Sequence, residues 1–158
     1  MVGAVVGAYP TVELRVFDAQ LSAQDAVFAA LLSRAIVLTD DLPHADIGVD
    51  GIDASMWTAA RHGMAARLLD PATGKAEDAC LLADRLLAAI APTLRELDDE
   101  DRVRDGFDRL RASGTGADRQ RRAVGDGGPS KLAELLRAGT PSPLPADNPG
   151  LTVSTPTA

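Results

Sequence analysis

The clearest alternation of polar and apolar positions lies in the segment "YPTVELRVFDAQ", residues 9–20. Polar residues at 11, 13 and 15 alternate with apolar residues at 12, 14 and 16, the period of two expected of a strand with one solvated and one buried face. We therefore predict a strand over about residues 10–18. Glu13 and Arg15 project from its polar face. At this point they are either an ordinary solvated ion pair or a functional pair.

The remainder of the chain follows a helical period, and we predict about five helices. The first runs through "LSAQDAVFAALLSRAIVL", where Ser22 and Asp25 have the spacing of a capping box. The segment "LPHADIGVDGID" is predicted to be a loop, and a short helix follows in "ASMWTAARHG", with Gly63 as its stop. These elements predict a mostly helical α+β fold.

The later helices are marked by leucine stripes, acidic first turns and glycine stops. One is predicted over residues 77–97, where Pro92 should kink or split it, and another runs through "DDEDRVRDGFDRLRAS". Two short helices follow, in "GADRQRRAVGD" and "PSKLAELLRAG". Residues 139–158 are rich in Pro, Ser and Thr and are predicted to form a disordered tail.

The predicted strand has no strong partner in the sequence. The N-terminal residues and "ARLLDPATGK", which reads as a short extended piece and a turn on Asp70-Pro71 and Gly74, are weak candidates for further strands. A lone strand leaves backbone N–H and C=O groups unpaired. We therefore expect either that the strand belongs to a sheet formed elsewhere or that the chain is incomplete.

Composition narrows the functional classes. The 158 residues carry a formal net charge of −7, which disfavours a general nucleic-acid-binding protein, because phosphate contacts need a basic surface. Cys80 is the single cysteine, which excludes an intrachain disulfide and a cysteine-rich zinc site. The start "MVGAVVGAYP" lacks the basic region of a signal peptide, and no apolar segment approaches the length of a membrane span. We predict a cytoplasmic protein.

Few other residues suggest chemistry on their own. The glycines of "ASGTGADRQRR" lack the lysine and hydroxyl residue of a phosphate loop and favour a helix end followed by a new helix start. His44 and His62 lack the spacing of metal ligands. Trp57 is interpreted as a packing anchor.

Four stretches together resemble the bacterial carboxylate–amine ligases related to glutamate–cysteine ligase. In order, they are "PTVELRVFDAQLSAQDAV", "WTAARHGMAARLLDPATG", "LADRLLAAIAPTLREL" and "GTGADRQRR". The resemblance covers about residues 9–138 and is to the C-terminal part of the catalytic domain. It divides the chain into an atypical lead, 1–8, the ligase portion, 9–138, and the tail, 139–158. It implies a portion of a glutamine-synthetase-like fold, in which a curved antiparallel sheet holds metal ions and substrates.

The resemblance also implies a reaction and residue roles. Members use ATP to phosphorylate a carboxylate, and an amine then displaces phosphate to give an amide. By this resemblance Glu13 would be a ligand of Mg²⁺, Arg15 would hold a phosphoryl oxygen or the substrate carboxylate, and Arg61 would contact the nucleotide. Gln120 and Arg121 are further, weaker candidates. The small-molecule partners would be the carboxylate and the amine.

The sequence departs from the family pattern in ways that keep three interpretations open. Family members are much longer and carry an acidic G-x-E-x-E-type motif in their N-terminal half, which has no match here. The chain is therefore interpreted as a C-terminal ligase fragment that is inactive alone. The alternatives are a helical interaction module that pairs its strand with a partner sheet, and a ligase assembled from two chains. Self-association, or association with a complementary N-terminal half, is expected.

Overall fold

The computed structural model describes residues 2–5, 11–14 and 16–139. In chain order, the elements are β1 (Val2–Val5), β2 (Thr11–Leu14), α1 (Ala23–Leu38), α2 (Gly48–His62), a 3₁₀ turn (Gly63–Ala65), β3 (Arg67–Leu69), β4 (Ala76–Asp78), α3 (Ala79–Glu96), α4 (Glu100–Ser113) and α5 (Gly116–Gly139). The prediction of a mostly helical α+β fold is confirmed. Of the predicted tail, residues 140–158 lie outside the described residues. No helix in the described part of the chain is long and apolar enough to cross a membrane.

The predicted strand has a partner within the chain. β1 and β2 form an antiparallel pair in which Val2 lies opposite Leu14 and Val5 opposite Thr11. The expectation of a lone strand is therefore wrong. The N-terminal residues were only a weak candidate for this partner, because "VGAV" is short and apolar throughout and such a run carries no period-two signal. β2 is also shorter than predicted, since residues 16–20 have no regular structure.

β3 and β4 form a second antiparallel pair around the predicted Asp70-Pro71 turn. Asp70 is buried at its start and accepts hydrogen bonds from the Ala72 N–H at 2.9 Å, the Thr73 hydroxyl at 3.0 Å and Arg85 at 2.8 Å. The Ala72 N–H is the main reason that the pKa of Asp70 lies below its usual value, with Thr73 and Arg85 adding to it against the opposing effect of burial. The turn prediction is confirmed, with Gly74 at a positive φ of 68°.

Two helices differ from their predicted limits. α2 begins at Gly48, inside the predicted loop, where the Asp46 side chain accepts a hydrogen bond from the Gly48 N–H at 3.2 Å. α3 runs through Pro92 as a single element. Ile90 and Leu94 are buried on either side of the proline, so tertiary packing outweighs the one hydrogen bond that proline removes.

The core lies between α1, α3 and α4. Its buried residues are Phe28, Ala35, Ile90, Leu94, Val103 and Phe107. The Phe28 and Phe107 rings meet edge to face, with centroids 5.2 Å apart and planes at 80°. Gly106 lies against the Phe28 ring so closely that a methyl group at this position would overlap it. The contact between α1 and α4 therefore depends on a residue without a side chain.

α5 is bent at Gly127 and Gly128, where the backbone leaves the helical conformation. Its two halves match the two short helices predicted from the sequence. Both ends of α5 approach the segment that follows β2. A Cβ at Gly116 would lie 3.6 Å from the Leu21 side chain, and the Gly139 backbone lies directly against the Leu21 carbonyl.

An ion pair fixes this junction. Arg119 of α5 donates a hydrogen bond to Asp25 of α1 at 2.8 Å, and their side chains are 28% and 17% exposed. Asp25 also donates its backbone N–H to the Ser22 hydroxyl at 3.1 Å, as predicted for the helix cap. Burial raises the pKa of Asp25, but the hydrogen bonds from Arg119 and Ser22 and the charges of Arg119 and Arg109 outweigh it, so the net pKa is lowered.

We expect Gly106→Ala to destabilise the protein. Alanine stabilises a helix by about 1 kcal/mol relative to glycine. Displacing the Phe28 ring from a packed core costs about 1–3 kcal/mol, and we expect this cost to be the larger effect. Urea unfolding measures the change. Gly125→Ala is the control, because nothing lies within 4 Å of its Cβ position, and it should stabilise α5. Equal gains in both variants would contradict the packing described.

We expect Asp25→Asn to lower the free energy of unfolding by about 1–2 kcal/mol at pH 7, because it removes a charge-assisted hydrogen bond. Since the folded-state pKa of Asp25 is lowered, its contribution is complete above the unfolded value of about 3.9 and is lost as pH falls through the folded value. Urea unfolding at pH 7 and in steps down to pH 3 should show the variant and wild type converging. Asp108→Asn is the control and should change stability little, because the Asp108 side chain is 66% exposed in its ion pair with Arg111. A difference that does not depend on pH would refute the assignment.

Candidate functional site

Glu13 lies on β2, opposite Gly3 of β1, and its side chain is exposed. Arg15 lies outside the described residues, so its predicted position on the same face as Glu13 stays a prediction. β2 thus presents one of the two predicted side chains at the surface of a small sheet.

The described residues contain no group of three or more His, Cys, Asp or Glu side chains that could hold a metal ion. Mg²⁺ prefers near-octahedral coordination by oxygen atoms from carboxylates, phosphates and water. Glu13 can supply one such oxygen ligand, but the described part of the chain does not by itself form a magnesium site.

Arg61 lies in the last turn of α2, and its side chain is exposed. Its guanidinium carbon lies 5.6 Å from the centre of the Trp57 ring, in a cation–π contact. Trp57 is 65% exposed, so its interpretation as a packing anchor is wrong. One turn of helix thus exposes an arginine and an aromatic ring side by side. The sequence motif "WTAAR" contains both, but only the helical spacing of four residues brings them together.

α2 ends at Gly63, which has a positive φ of 55°. A Cβ at this position would lie 2.9 Å from the Thr115 methyl group and 3.3 Å from an Asp118 carboxylate oxygen. Two of the motifs quoted above, "WTAARHG" and "GTGADRQRR", therefore meet in space although about fifty residues separate them. Gly63 is a point of contact between the two motifs.

Thr115 and Asp118 form a capping box at the start of α5. The Thr115 N–H donates to Asp118 at 2.9 Å, and its hydroxyl does so at 2.8 Å, while the Asp118 N–H donates back to the Thr115 hydroxyl at 3.3 Å. With Gly114 ending α4 at a φ of 77°, this agrees with the predicted helix end and new helix start rather than a phosphate loop.

Arg121 and Gln120 occupy different positions around this cap. Arg121 donates to Asp118 at 2.7 Å and is exposed, and Gln120 is half-buried. The hydrogen bond from Arg121 is the main cause of the lowered pKa of Asp118, followed by those from Thr115. Arg121 therefore has a structural partner, which the sequence did not reveal.

The Arg119–Asp25 pair completes this region. It ties the motif that begins α5 to the motif that follows β2, across 94 residues of sequence. Three of the four family-like stretches are thus joined through Asp25, Gly63, Thr115, Asp118 and Arg119. Asp25 and Arg119 were not predicted as partners, since their separation in sequence gives no signal; only their place within two such motifs pointed to them.

Comparison with known proteins identifies the family. A model of the family described as Glutamate-cysteine ligase family 2 matches residues 3–135. The "Putative glutamate–cysteine ligase 2-2" of Saccharopolyspora erythraea is 37% identical over 137 residues, which cover 83% of this chain and 35% of the relative. The "Putative glutamate–cysteine ligase 2" of Salinispora arenicola is 42% identical over 127 residues, which cover 74% of this chain and 32% of the relative.

The "Putative glutamate–cysteine ligase 2" of Salinispora tropica is 39% identical over 146 residues, covering 88% of this chain and 39% of the relative. The chain thus spans about a third of the length of the curated relatives that it matches. The family match includes Glu13, Arg61 and the whole junction between α1, α2 and α5. The chain belongs to glutamate–cysteine ligase family 2.

Proposed function

We propose that this chain carries part of the active site of an ATP-dependent carboxylate–amine ligase of the glutamate–cysteine type. The observation that carries the proposal is the family match over residues 3–135, which includes the strand with Glu13 and the helix with Arg61. The relatives named as ligases match 74–83% of the chain at 37–42% identity.

The chemistry explains which residue types such a site needs. The carboxylate substrate attacks the γ-phosphorus of ATP, the bond to the β-phosphate oxygen breaks, and ADP leaves. The amine then attacks the acyl carbon and loses a proton, and inorganic phosphate departs with the electron pair of its bond. The first step moves a highly charged group, so positive charge must be placed around it in advance.

Glu13 would bind the magnesium ion that accompanies ATP. A carboxylate is the hard oxygen ligand that Mg²⁺ prefers, and a strand side chain can be held in fixed orientation by its ladder. In this proposal the further ligands come from parts of the ligase beyond the described residues, consistent with the lack of a three-ligand group among them. Arg15 keeps its predicted role, which is to hold a phosphoryl oxygen or the substrate carboxylate.

Arg61 would contact the nucleotide. Its described contact is with the Trp57 ring. This is a cation–π contact, which does not need the N–H donors of the guanidinium. N–H donors on an exposed guanidinium suit phosphate oxygens. The ring also restricts the rotamers of Arg61, so less side-chain entropy is lost when a phosphate binds.

We further propose that the 158-residue chain is inactive alone. The relatives have about two thirds of their length outside the matched region, and one carboxylate on a small sheet binds Mg²⁺ weakly. The activity then belongs to an assembly in which this chain supplies Glu13, Arg15 and Arg61. The carboxylate would be glutamate and the amine cysteine, by the names of the relatives.

A chimera tests the role of Glu13. Residues 3–135 replace the matched region of the Saccharopolyspora erythraea relative, and ADP release with Mg²⁺, ATP, glutamate and cysteine is measured. We expect activity in the chimera, none in the isolated chain, and a loss of at least about 100-fold in kcat for Glu13→Gln, because a transition-state charge interaction is removed.

Two controls accompany this assay. The intact relative sets the reference activity, and Glu96→Gln, an exposed glutamate at the end of α3, should leave the chimera unchanged. ADP release by the isolated chain that depends on both substrates would refute its inactivity. Full activity of the Glu13→Gln chimera would refute the metal role.

The same chimera tests the role of Arg61. We expect Arg61→Gln to raise the KM for ATP by about tenfold, because one charged hydrogen bond to phosphate is worth about 1.5–3 kcal/mol when buried and less when exposed. Arg104→Gln, at an exposed pair with Glu100 on α4, is the control. If both variants change the KM equally, Arg61 does not contact the nucleotide.

A further inference from the structure

α2 carries a row of apolar side chains that face solvent. Val49, Ile52, Met56 and Ala60 follow one another at spacings of three and four residues and so share one face of the helix. Val49 is 73% exposed, Ile52 47% and Met56 42%, and Ala60 is exposed as well. We name these four residues the α2 apolar stripe.

The stripe is not the face by which α2 attaches to the rest of the described chain. Gly51 and Ser55 make that contact with β3, where the Leu69 N–H donates to the Ser55 hydroxyl at 3.2 Å. A Cβ at Gly51 would lie 3.0 Å from the Leu69 side chain. No residue of α2 is buried, whereas each of α1, α3 and α4 buries several. The face suited to a core thus remains uncovered by the described residues.

This row differs from scattered surface apolar residues. Single exposed apolar side chains are normal, but a continuous row on one helix face marks a surface that packs against another element. The stripe spans about 80° of the helix, close to the roughly 100° of a core-facing stripe in a globular protein. Trp57, beyond Asp53 on the flank of the stripe, widens the apolar surface.

We propose that the α2 apolar stripe packs against the portion of the ligase domain that lies outside the region this chain matches. About two thirds of the length of the relatives belongs to that portion. Domains are built from packed layers of secondary structure, so a helix with an exposed apolar face is expected where the layer that packs against it lies in another segment. The proposal rests on the family membership. It depends on the proposed function only for the identity of the domain that the stripe helps to complete.

The position of the stripe favours this occupant over a second copy of the chain. The helix that carries the stripe also carries Arg61 and ends at Gly63, against Thr115 and Asp118. A segment lying on the stripe would therefore bring its own side chains next to Arg61. The described residues lack the three ligands of a metal site, and a segment on the stripe would supply further groups near Arg61.

Cysteine labelling tests the proposal without depending on catalysis. Met56→Cys and Val124→Cys are made separately in a Cys80→Ser background, because Cys80 is the only cysteine of the chain. Val124 of α5 is 46% exposed, close to the 42% of Met56, and serves as the matched control. Maleimide labelling rates at the two positions are measured by peptide mass spectrometry in the isolated chain and in the chimera.

We expect both positions to react at similar rates in the isolated chain. In the chimera, labelling of Met56→Cys should slow by at least about tenfold, because the side chain enters a packed interface, while Val124→Cys changes by less than about twofold. Undiminished labelling of Met56→Cys in a folded chimera would overturn the proposal. So would protection in the isolated chain that increases with protein concentration, since it would identify a second copy as the occupant.

A split format covers the case in which the chimera does not fold. The full chain is co-expressed with the remaining portion of the same relative, and co-purification is measured for wild type, Ile52→Glu and Val124→Glu. We expect recovery of the pair to fall at least about fivefold for Ile52→Glu only. Equal recovery of all three, or no soluble assembly in either format, would count against the proposal.

These outcomes separate the interface from the proposed function. Protection of Met56→Cys in an assembly without ligase activity would retain the interface and refute the function. Ligase activity in an assembly whose Met56→Cys thiol labels freely would retain the function and refute the interface.

Discussion

The contact between Phe28 and Gly106 is the constraint on which the helical part of the protein depends. Aromatic residues make up 3% of the sequence, and two of them, Phe28 and Phe107, meet in the centre of the core. The absence of a side chain at Gly106 lets α1 approach α4 closely enough for the two rings to touch edge to face. The remaining core positions are aliphatic or alanine, so no other pair of large rings could set the spacing of these helices.

Local signals in the sequence were sufficient for most helices and for the turn at Asp70. The Ser22 cap, the stops at Gly63 and Gly114 and the division of α5 near Gly127 all follow from residue chemistry that acts within one or two turns. The misses were of another kind. Pro92 stays inside a helix because Ile90 and Leu94 are buried beside it. β1 was only a weak candidate strand, because its pairing with β2 is decided by the partner.

In the candidate site too, local features could be predicted from the sequence and long-range contacts could not. Glu13 and Arg61 could be singled out from motifs that resemble the ligase family, and their roles stay predictions. The meeting of Gly63 with Thr115 and Asp118, and of Asp25 with Arg119, could not, since nothing in a single sequence links residues that lie so far apart. Trp57 shows the opposite error: a large aromatic residue suggests burial, yet in this chain it stands beside Arg61 at the surface.

The bend in α5 has a consequence for how the helical unit is connected. Because the helix turns at Gly127 and Gly128, its last residue, Gly139, returns to Leu21, two residues before the first helix begins. Residues 21–139 thus form a unit whose two ends adjoin. Units of this kind can be inserted into a host chain or circularly permuted with little effect on their packing. In topological terms the described helical portion of this chain is a loop whose ends meet beside the segment that follows β2.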